Sequence, residues 1–530
     1  MSSPALPGPS LPGSSLNAAR RARELAEARG LVVDVLVVGL GATGAGAALD
    51  AASRGLSVAA IDACDLAFGT SRWSSKMIHG GLRYLARGQV GVAGESAVER
   101  GALLARTAPH LVRAAPYLLP LTPRVSRVQA ATVMAGYRLG DGLRAAAGTP
   151  RALLPGPARI SARRALELAA PLAPDGLRGA LLSWDGRLSD DARLVVALAR
   201  TAAAHGARIL TRCRALALAG DGAEVRDEPT GDVFTIRARS VINATGVWAA
   251  GLDPDIPLRP SRGTHLVLRP ESLPGLRAGL HVPIPGEGNR FALVLPQDDG
   301  RVYVGLTDEP VDGPVPDVPE APEEDVTFLL GVLNSVLAAG IRREDVAGAF
   351  AGLRPLLDAG GRGRDGRTDG SGGRGGKGGR TADLSRRHAL LVSPGGAVTV
   401  VGGKLTTYRR MAEDAVDLAV RLRGLTAGAS RTARLPLVGY LPPGTAARGR
   451  LEARYGAEAA AVRSLAAGDP ALAEPLPTGV IGAELVWAVR HEGALDAGDL
   501  LDRRTRIGLV PEDRAAALPA ALAALEYGTG

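Results

Sequence analysis

The sequence predicts an α/β fold. A parallel-sheet domain is assembled from distant segments, an antiparallel sheet is inserted into it, and an alanine-rich helical domain ends the chain. Three observations carry this. Between Val33 and Asp62 an apolar run, a glycine-rich turn, an alanine-rich helix and a second apolar run form one βαβ unit. The middle of the chain alternates short apolar runs with turn residues, at 264-THLVLRP, 280-LHVPIP and 291-FALVLPQDDGRVYVGLTDE. A strand ending in glycines and opening a helix returns late, at 401-VGGKLTTYRR-410.

The elements follow in order. Residues 1–15, MSSPALPGPSLPGSS, lack the basic and apolar regions of a signal peptide, and LNAARRARELAEARG reads as a short charged helix. The run 35-VLVVG is a buried parallel strand. A helix follows and stops at Gly55, and 56-LSVAAI-61 is the second strand. Residues 95–115 read as an amphipathic helix broken at Pro109, and 150–180 as loop and helix. A helix from Asp191 stops at Gly206 and leads into a strand, and 233–246 is a strand ending in a small-residue turn. Residues 298–300, DDG, make the hairpin turn of the meander, and 322–340 are helical. The stretch 389-ALLVSPGGAVTVVGGK is a hairpin, a helix begins near Thr406, and the chain beyond about 436 is helical. The expected division is an N-terminal extension at 1–30, a nucleotide domain at 31–115, 181–260 and 385–425, a substrate domain at 116–180 and 261–384, and a helical domain at 436–530.

Composition excludes several classes. Only 3% of residues are aromatic, which disfavours stacking platforms for single-stranded nucleic acid. The two cysteines, Cys64 and Cys213, make no metal or disulfide pattern, which fits a reducing compartment and predicts no metal. No segment reaches the roughly 20 apolar residues of a membrane span. The net charge of +9 is uneven: the glycine-rich stretch 361–380, with six basic and two acidic residues, supplies +4 of it, inside a loop at 360–381 that is expected to be disordered rather than a nucleic-acid arm. Arginine supplies 60 of the 63 basic residues, so the three lysines, Lys76, Lys377 and Lys404, stand out against a compositional drift.

Gly39, Gly41 and Gly44 form GxGxxG around Ala42 and Thr43. The first glycine permits the tight turn, the second lets backbone approach a pyrophosphate, and the third lets helix and strand pack closely. The helix N-terminus offers free N–H groups to phosphates. Asp62, 18 positions after Gly44, is placed to accept ribose hydroxyls. This predicts a dinucleotide site and does not separate FAD from NAD. The stretch 70-TSRWSSKMIHGGLRYL-85 adds hydroxyls from Thr70, Ser71, Ser74 and Ser75, cations at Lys76 and Arg83, and His79, Gly80 and Gly81. These are donors for phosphate and flavin-ring oxygens and for an anionic substrate.

Together with DDARLV (190–195), NATGVWA (243–249), GLRPL (352–356), VGGKLTTYRRMAE (401–413) and RRTRIGL (503–509), that stretch closely resembles the FAD-dependent glycerol-3-phosphate dehydrogenases, from about residue 17 to about residue 510. The resemblance implies a glutathione-reductase-like FAD domain with an inserted substrate sheet and a C-terminal helical domain. It implies oxidation of sn-glycerol 3-phosphate to dihydroxyacetone phosphate, with electrons passed to a membrane quinone. Oxidase relatives use oxygen instead.

By the same resemblance, Arg354 and Arg386 hold the phosphate, and Arg83 and Tyr84 lie beside the substrate and the isoalloxazine. His265 matches the family's active-site histidine, and Thr307 and Asp308 match the polar pair beside it at the substrate. His265 is the expected proton acceptor and His79 the second candidate. Ala244, Thr245 and Gly246, and Gly403, Lys404, Leu405 and Thr406, line the cofactor. Lys404 opens a helix, the unfavourable end for a cation, so a role beside the flavin N1–O2 edge or the substrate is expected.

Departures from the family pattern are Asp62 for the commoner glutamate, Leu40 among the glycines, and Arg72 and Trp73 in the flavin loop. The expectation is a cytoplasmic enzyme, peripheral on the inner face of the cell membrane, with glycerol 3-phosphate and quinone as partners, no nucleic acid, and a homodimer left open. The alternatives are an oxygen-using oxidase and a noncatalytic nucleic-acid-associated protein acting through 361–380.

Overall fold

The computed structural model describes residues 11–85, 88–287, 290–357, 388–445 and 449–529. The glycine-rich loop with Lys377 and Arg386 therefore lies outside the described residues, as does the side chain of Arg83.

The first sheet has eight strands. Its parallel part runs Val398–Gly402, Val233–Asn243, Val32–Val38, Val58–Ile61, Arg208–Leu210. The predicted hairpin 389–404 adds His388–Val392 antiparallel at one edge. A hairpin that pattern reading missed, Cys213–Ala219 with Gly222–Asp227, joins Val233–Asn243. Helices Ala42–Ser53, Asp191–Ala204 and Tyr408–Arg423 cover one face. The helix Ala42–Ser53 is buried almost all round, as its run of alanine and glycine allows: small residues admit the sheet and both neighbouring helices at once.

The second sheet has ten strands and is mainly antiparallel. The meander Leu258–Leu268, Gly279–Pro283, Phe291–Pro296, Val302–Gly305 and Val346–Leu357 forms most of it, and helix Glu323–Asn334 packs on its core. Two expectations change here. Residues 95–115 are not one helix: helix Val90–Ala102 ends in a wide turn at Leu103–Thr107, and Val112–Pro120 is a buried strand of this sheet. With Ala180–Leu188 and Met77–Ile78 it carries the second sheet into segments assigned to the nucleotide domain. Residues 127–146, unassigned above, form a 20-residue helix, Arg127–Ala146, whose N-cap Ser126 accepts from Gln129 N.

The C-terminal helices Ala459–Gly468, Gly482–His491 and Pro511–Thr529 form their own core. Buried ion pairs dock the C-terminal unit onto helix Asp191–Ala204 and the turn after strand Val58–Ile61. Arg193 bonds both oxygens of Glu492, Arg200 bonds both of Glu458 at 2.6 and 2.8 Å, and Arg504 bonds both of Asp65 at 2.7 and 2.8 Å. Such pairs fix one docking arrangement more than they add net stability.

Candidate active site

A cavity of about 1400 Å³ opens where the carboxyl ends of the parallel strands Val32–Val38, Val233–Asn243 and Val398–Gly402 meet the second sheet. This is the position at which open α/β sheets bind ligands.

One end is a phosphate cradle. Gly39 sits at φ +98°, and a Cβ there would run into the backbone of Ala244. A Cβ on Gly44 would run into the Gly39 carbonyl, so Gly44 sits behind the cradle and sets the helix–strand approach without lining the cavity. The N-cap residue of helix Ala42–Ser53 is Gly41, which has no side chain to cap it, so apart from the Ala42 amide its first-turn amides are available to an anion. The Ala42 amide donates to Ser71 Oγ at 2.9 Å, which joins the cradle to the flavin-side loop. Asp62 lines the cavity, half-buried. Its oxygens accept the amides of Leu40 at 2.7 Å and Cys64 at 2.8 Å. Burial, with Asp65 adding to it, outweighs those bonds and pushes its carboxyl up to about 6.

Thr43, Thr70, Ser71, Ser74, Ser75, His79, Ala244, Thr245, Gly246, Gly403, Lys404, Leu405 and Thr406 all line the same cavity. Lys76, Gly80 and Gly81 do not. The expected cofactor contact of Lys76 is corrected: its ammonium is buried behind the loop, where it donates to Asp191 at 2.9 Å and to the carbonyls of Arg72 and Ser74. The same Asp191 oxygen accepts the amide and hydroxyl of Ser74. The amide of Gly80 donates to both oxygens of buried Asp185 at 3.1 Å, and Arg100 donates to one of them, so Gly80 shapes the turn that carries His79.

At the other end, His265 stands on Leu258–Leu268 with Thr307, Asp308 and Arg354 near it in the wall. Its Nε2 is 2.8 Å from Ser75 Oγ, its ring stacks on Phe350, and among the described residues Nδ1 has no hydrogen-bond partner. Burial first, then the charges of Lys76 and Arg354, holds its pKa well below the usual value, so the ring is neutral at pH 7. Asp308 accepts from Ser261 at 2.5 Å and from Arg354 at 3.0 Å, and Arg354 also donates to the Thr307 carbonyl. Thr307 Oγ1 donates to Asp325 and accepts the amide of Thr264. Lys404 Nζ donates to Ser96 Oγ at 2.8 Å and lies 4.0 Å over the ring of Tyr84, which stands on the short helix Leu82–Leu85 with Arg83. The thirteen-residue motif around Lys404 thus returns the chain to the cavity wall.

Sequence reading gave no site role to several wall residues: Phe68, Tyr137, Trp248, His281 and Phe291, while Trp73, noted as a departure in the flavin loop, lines the wall as well. Trp248 lay inside the quoted NATGVWA motif, whereas Tyr137 and His281 come from elements with no motif signal.

The matches to known proteins agree with this arrangement. A family model described as FAD dependent oxidoreductase matches residues 34–400, and one described as the C-terminal domain of alpha-glycerophosphate oxidase matches 408–527. The chain therefore belongs to the FAD-dependent oxidoreductases, and FAD is its cofactor.

"Glycerol-3-phosphate dehydrogenase 1" of Mycobacterium tuberculosis is 53% identical over 511 residues, 94% of this chain and 96% of the relative. The mitochondrial glycerol-3-phosphate dehydrogenase of Rattus norvegicus is 35% identical over 527 residues, 90% of this chain and 68% of the relative. Within its class, the chain belongs to the FAD-dependent glycerol-3-phosphate dehydrogenase family. The glycerol-3-phosphate dehydrogenase from Bacillus halodurans, solved with FAD, shares the fold at TM-score 0.72 and 24% identity, over 97% of this chain and 94% of that one.

The residues fit FAD. Gly39 and Gly41 line the cradle without side chains, the missing Cβ atoms of Gly39 and Gly44 let strand, turn and helix approach closely, the N-terminus of helix Ala42–Ser53 faces the cradle, and Asp62 stands in the wall where a ribose would lie.

Proposed function

We propose that this chain oxidises sn-glycerol 3-phosphate to dihydroxyacetone phosphate and passes the electrons to a membrane quinone. The observation that carries the reading is the single cavity: it joins the FAD cradle to a neutral histidine and to cations suited to a phosphate. The curated relatives named glycerol-3-phosphate dehydrogenase support the same substrate. FAD, when bound, supplies the hydride acceptor.

The protein's residues supply position and proton handling. Arg354 presents a planar fork to the phosphate, held in orientation by Asp308 and the Thr307 carbonyl. Arg83 and Arg386 are proposed to complete the phosphate and substrate contacts. His265, kept neutral by burial, takes the hydroxyl proton at whichever ring nitrogen faces the substrate. Ser75 bonds Nε2, whereas Nδ1 is buried and has no hydrogen-bond partner among the described residues. Lys404 places a point charge at the wall beside Tyr84, for the substrate or the flavin edge. His79 is the second candidate for the proton.

One observation favours a rival acceptor: the model matching residues 408–527 is described from an oxidase. The test is anaerobic reduction of the protein by glycerol 3-phosphate, followed by challenge with oxygen or with a short-chain quinone. Fast reoxidation by quinone and slow peroxide formation support the dehydrogenase reading, and the reverse supports an oxidase. No helix among the described residues is long and apolar enough to cross a membrane, so the proposed placement is peripheral, on the inner face of the cell membrane. Sedimentation with vesicles containing quinone tests that placement, and light scattering tests for a homodimer.

A further inference from the structure

The motif RRTRIGL carried the resemblance, yet no part of the reaction uses it. Its place in the fold gives it one. The segment belongs to the C-terminal helical unit and is buried. Arg503 and Arg504 converge on Asp65, just after the nucleotide-side strand. Arg506 does something different. It has left-handed backbone, φ +64°, and only 2% of its surface is exposed.

Arg506 touches both halves of the active site at once. Its Nη2 donates to the Arg72 carbonyl at 2.6 Å, and Lys76 donates to that same carbonyl at 3.2 Å. Arg72 is three residues before Ser75 in the loop that lines the cavity. The Arg506 carbonyl accepts Arg301 Nη1 at 2.9 Å. Arg301 directly precedes the strand Val302–Gly305, in which Gly305 pairs with His265. The fit there is tight, since a Cβ on Gly305 would strike the His265 ring. Nη1 of Arg506 returns to the Asp502 carbonyl and ties both contacts to the C-terminal unit. Arg506 also lies 5.3 Å over the ring of Trp73, which lines the cavity.

We infer that Arg506 is a positioning residue for the hydrogen bond between Ser75 and His265. One buried guanidinium, with its own carbonyl, fixes the loop that brings Ser75 and the strand that seats His265. A bond of 2.8 Å between side chains that come from segments 190 positions apart needs such a common support. Loss of that support lets the two sides drift, and a misplacement of about 1 Å in an active site costs on the order of 100-fold in rate. The same bond holds the orientation of the His265 ring and biases which of its nitrogens carries the proton. The C-terminal unit thereby takes part in catalysis without touching substrate or flavin. This inference rests on the proton-accepting role given to His265 above.

The test is a double-mutant cycle between Arg506→Gln and Ser75→Ala in the FAD-loaded protein. Arg506→Gln is expected to lower kcat about 10- to 100-fold with KM within about threefold, and to keep FAD content and visible spectrum. In the Ser75→Ala background the same change is expected to cost less than about twofold more, because its target is already gone. Arg506→Lys, which keeps a cation and one donor for the Arg72 carbonyl, is expected to recover most of the rate. Additive losses in the cycle overturn the inference. If Arg506→Gln does not hold FAD, Arg301→Gln removes the second contact from outside the segment. It must show the same kcat loss and the same non-additivity, and additivity there overturns the inference equally. A crystal structure of the variant gives the readout independent of turnover: Ser75 Oγ and His265 Nε2 move beyond hydrogen-bond reach if the inference holds and stay in place if it does not. Should His265→Asn turn over like the parent, the proton-acceptor reading fails, and that distance still decides the role of Arg506.

Discussion

Asp62 is expected to make FAD binding dependent on pH. Both of its oxygens accept backbone amides, yet burial lifts its carboxyl to about 6, against a usual value of 3.8. The sign for stability is that of a raised pKa. In the protein without FAD, the contribution is fully present below 3.8 and is lost as pH rises through about 6, by about 3 kcal/mol at most. Ribose hydroxyls donate to the ionised form, so bound FAD draws Asp62 back toward ionisation. Above pH 7 the carboxylate is already charged and binding is insensitive to pH. Between pH 6 and 5 it must first lose a proton, which costs about 1.4 kcal/mol, or tenfold in Kd, per unit. Titration of FAD-free protein with FAD, followed by flavin fluorescence from pH 5 to 8, reads this directly. Asp62→Asn is expected to bind more weakly at pH 8 and to show no slope. A flat profile for the parent, or the same slope in the Asn variant, refutes the reasoning.

Three further predictions follow from the geometry. Arg354→Ala removes the guanidinium beside Asp308 and is expected to raise KM for glycerol 3-phosphate by 10- to 1000-fold with FAD retained, from the 1.5–3 kcal/mol or so of a charged hydrogen bond and a little more; steady-state kinetics checks it. His265→Asn is expected to lower kcat about 100- to 10,000-fold. Because its folded pKa is depressed, the stability contributed by neutral His265 is present above about 6.5 and lost as pH falls below it, which thermal unfolding of parent and variant from pH 7.5 to 5 measures. Burial opposes the charge of Asp65, but Arg504 and Arg503 overcome it and hold the carboxyl well below the usual range. Asp65→Asn leaves those arginines with less compensation and is expected to cost about 3–5 kcal/mol in urea unfolding, with the parent's advantage lost only as pH falls below about 4.

What was legible in the sequence follows local physics. Gly39 and Gly44 sit where only a missing Cβ permits the approach, so their spacing fixed the cradle and the helix behind it. The meander around His265 declared itself by alternation and the turn at 298–300. The rest depended on partners far along the chain. Val112–Pro120 pairs with residues some 70 positions later, and its apolar run read as the tail of the preceding helix. The pair Asp190–Asp191 looked like a motif without a task. Asp190 caps helix Asp191–Ala204 and bonds Arg454, while Asp191 anchors Ser74 and Lys76. The lysines repeat the lesson. Lys404 reaches the cavity as its motif suggested, whereas Lys76 spends its three donors on Asp191 and two carbonyls in a closed site behind the loop. A rigid guanidinium fork does not fit three acceptors so arranged.

The central claim is that one cavity brings glycerol 3-phosphate to bound FAD. The most direct measurement is the visible spectrum of the purified, FAD-loaded protein in the absence of oxygen, before and after addition of glycerol 3-phosphate. The account predicts that the flavin absorption near 450 nm bleaches within seconds and that glycerol without phosphate leaves it unchanged. A spectrum that glycerol 3-phosphate does not alter, in protein that dithionite does reduce, contradicts it.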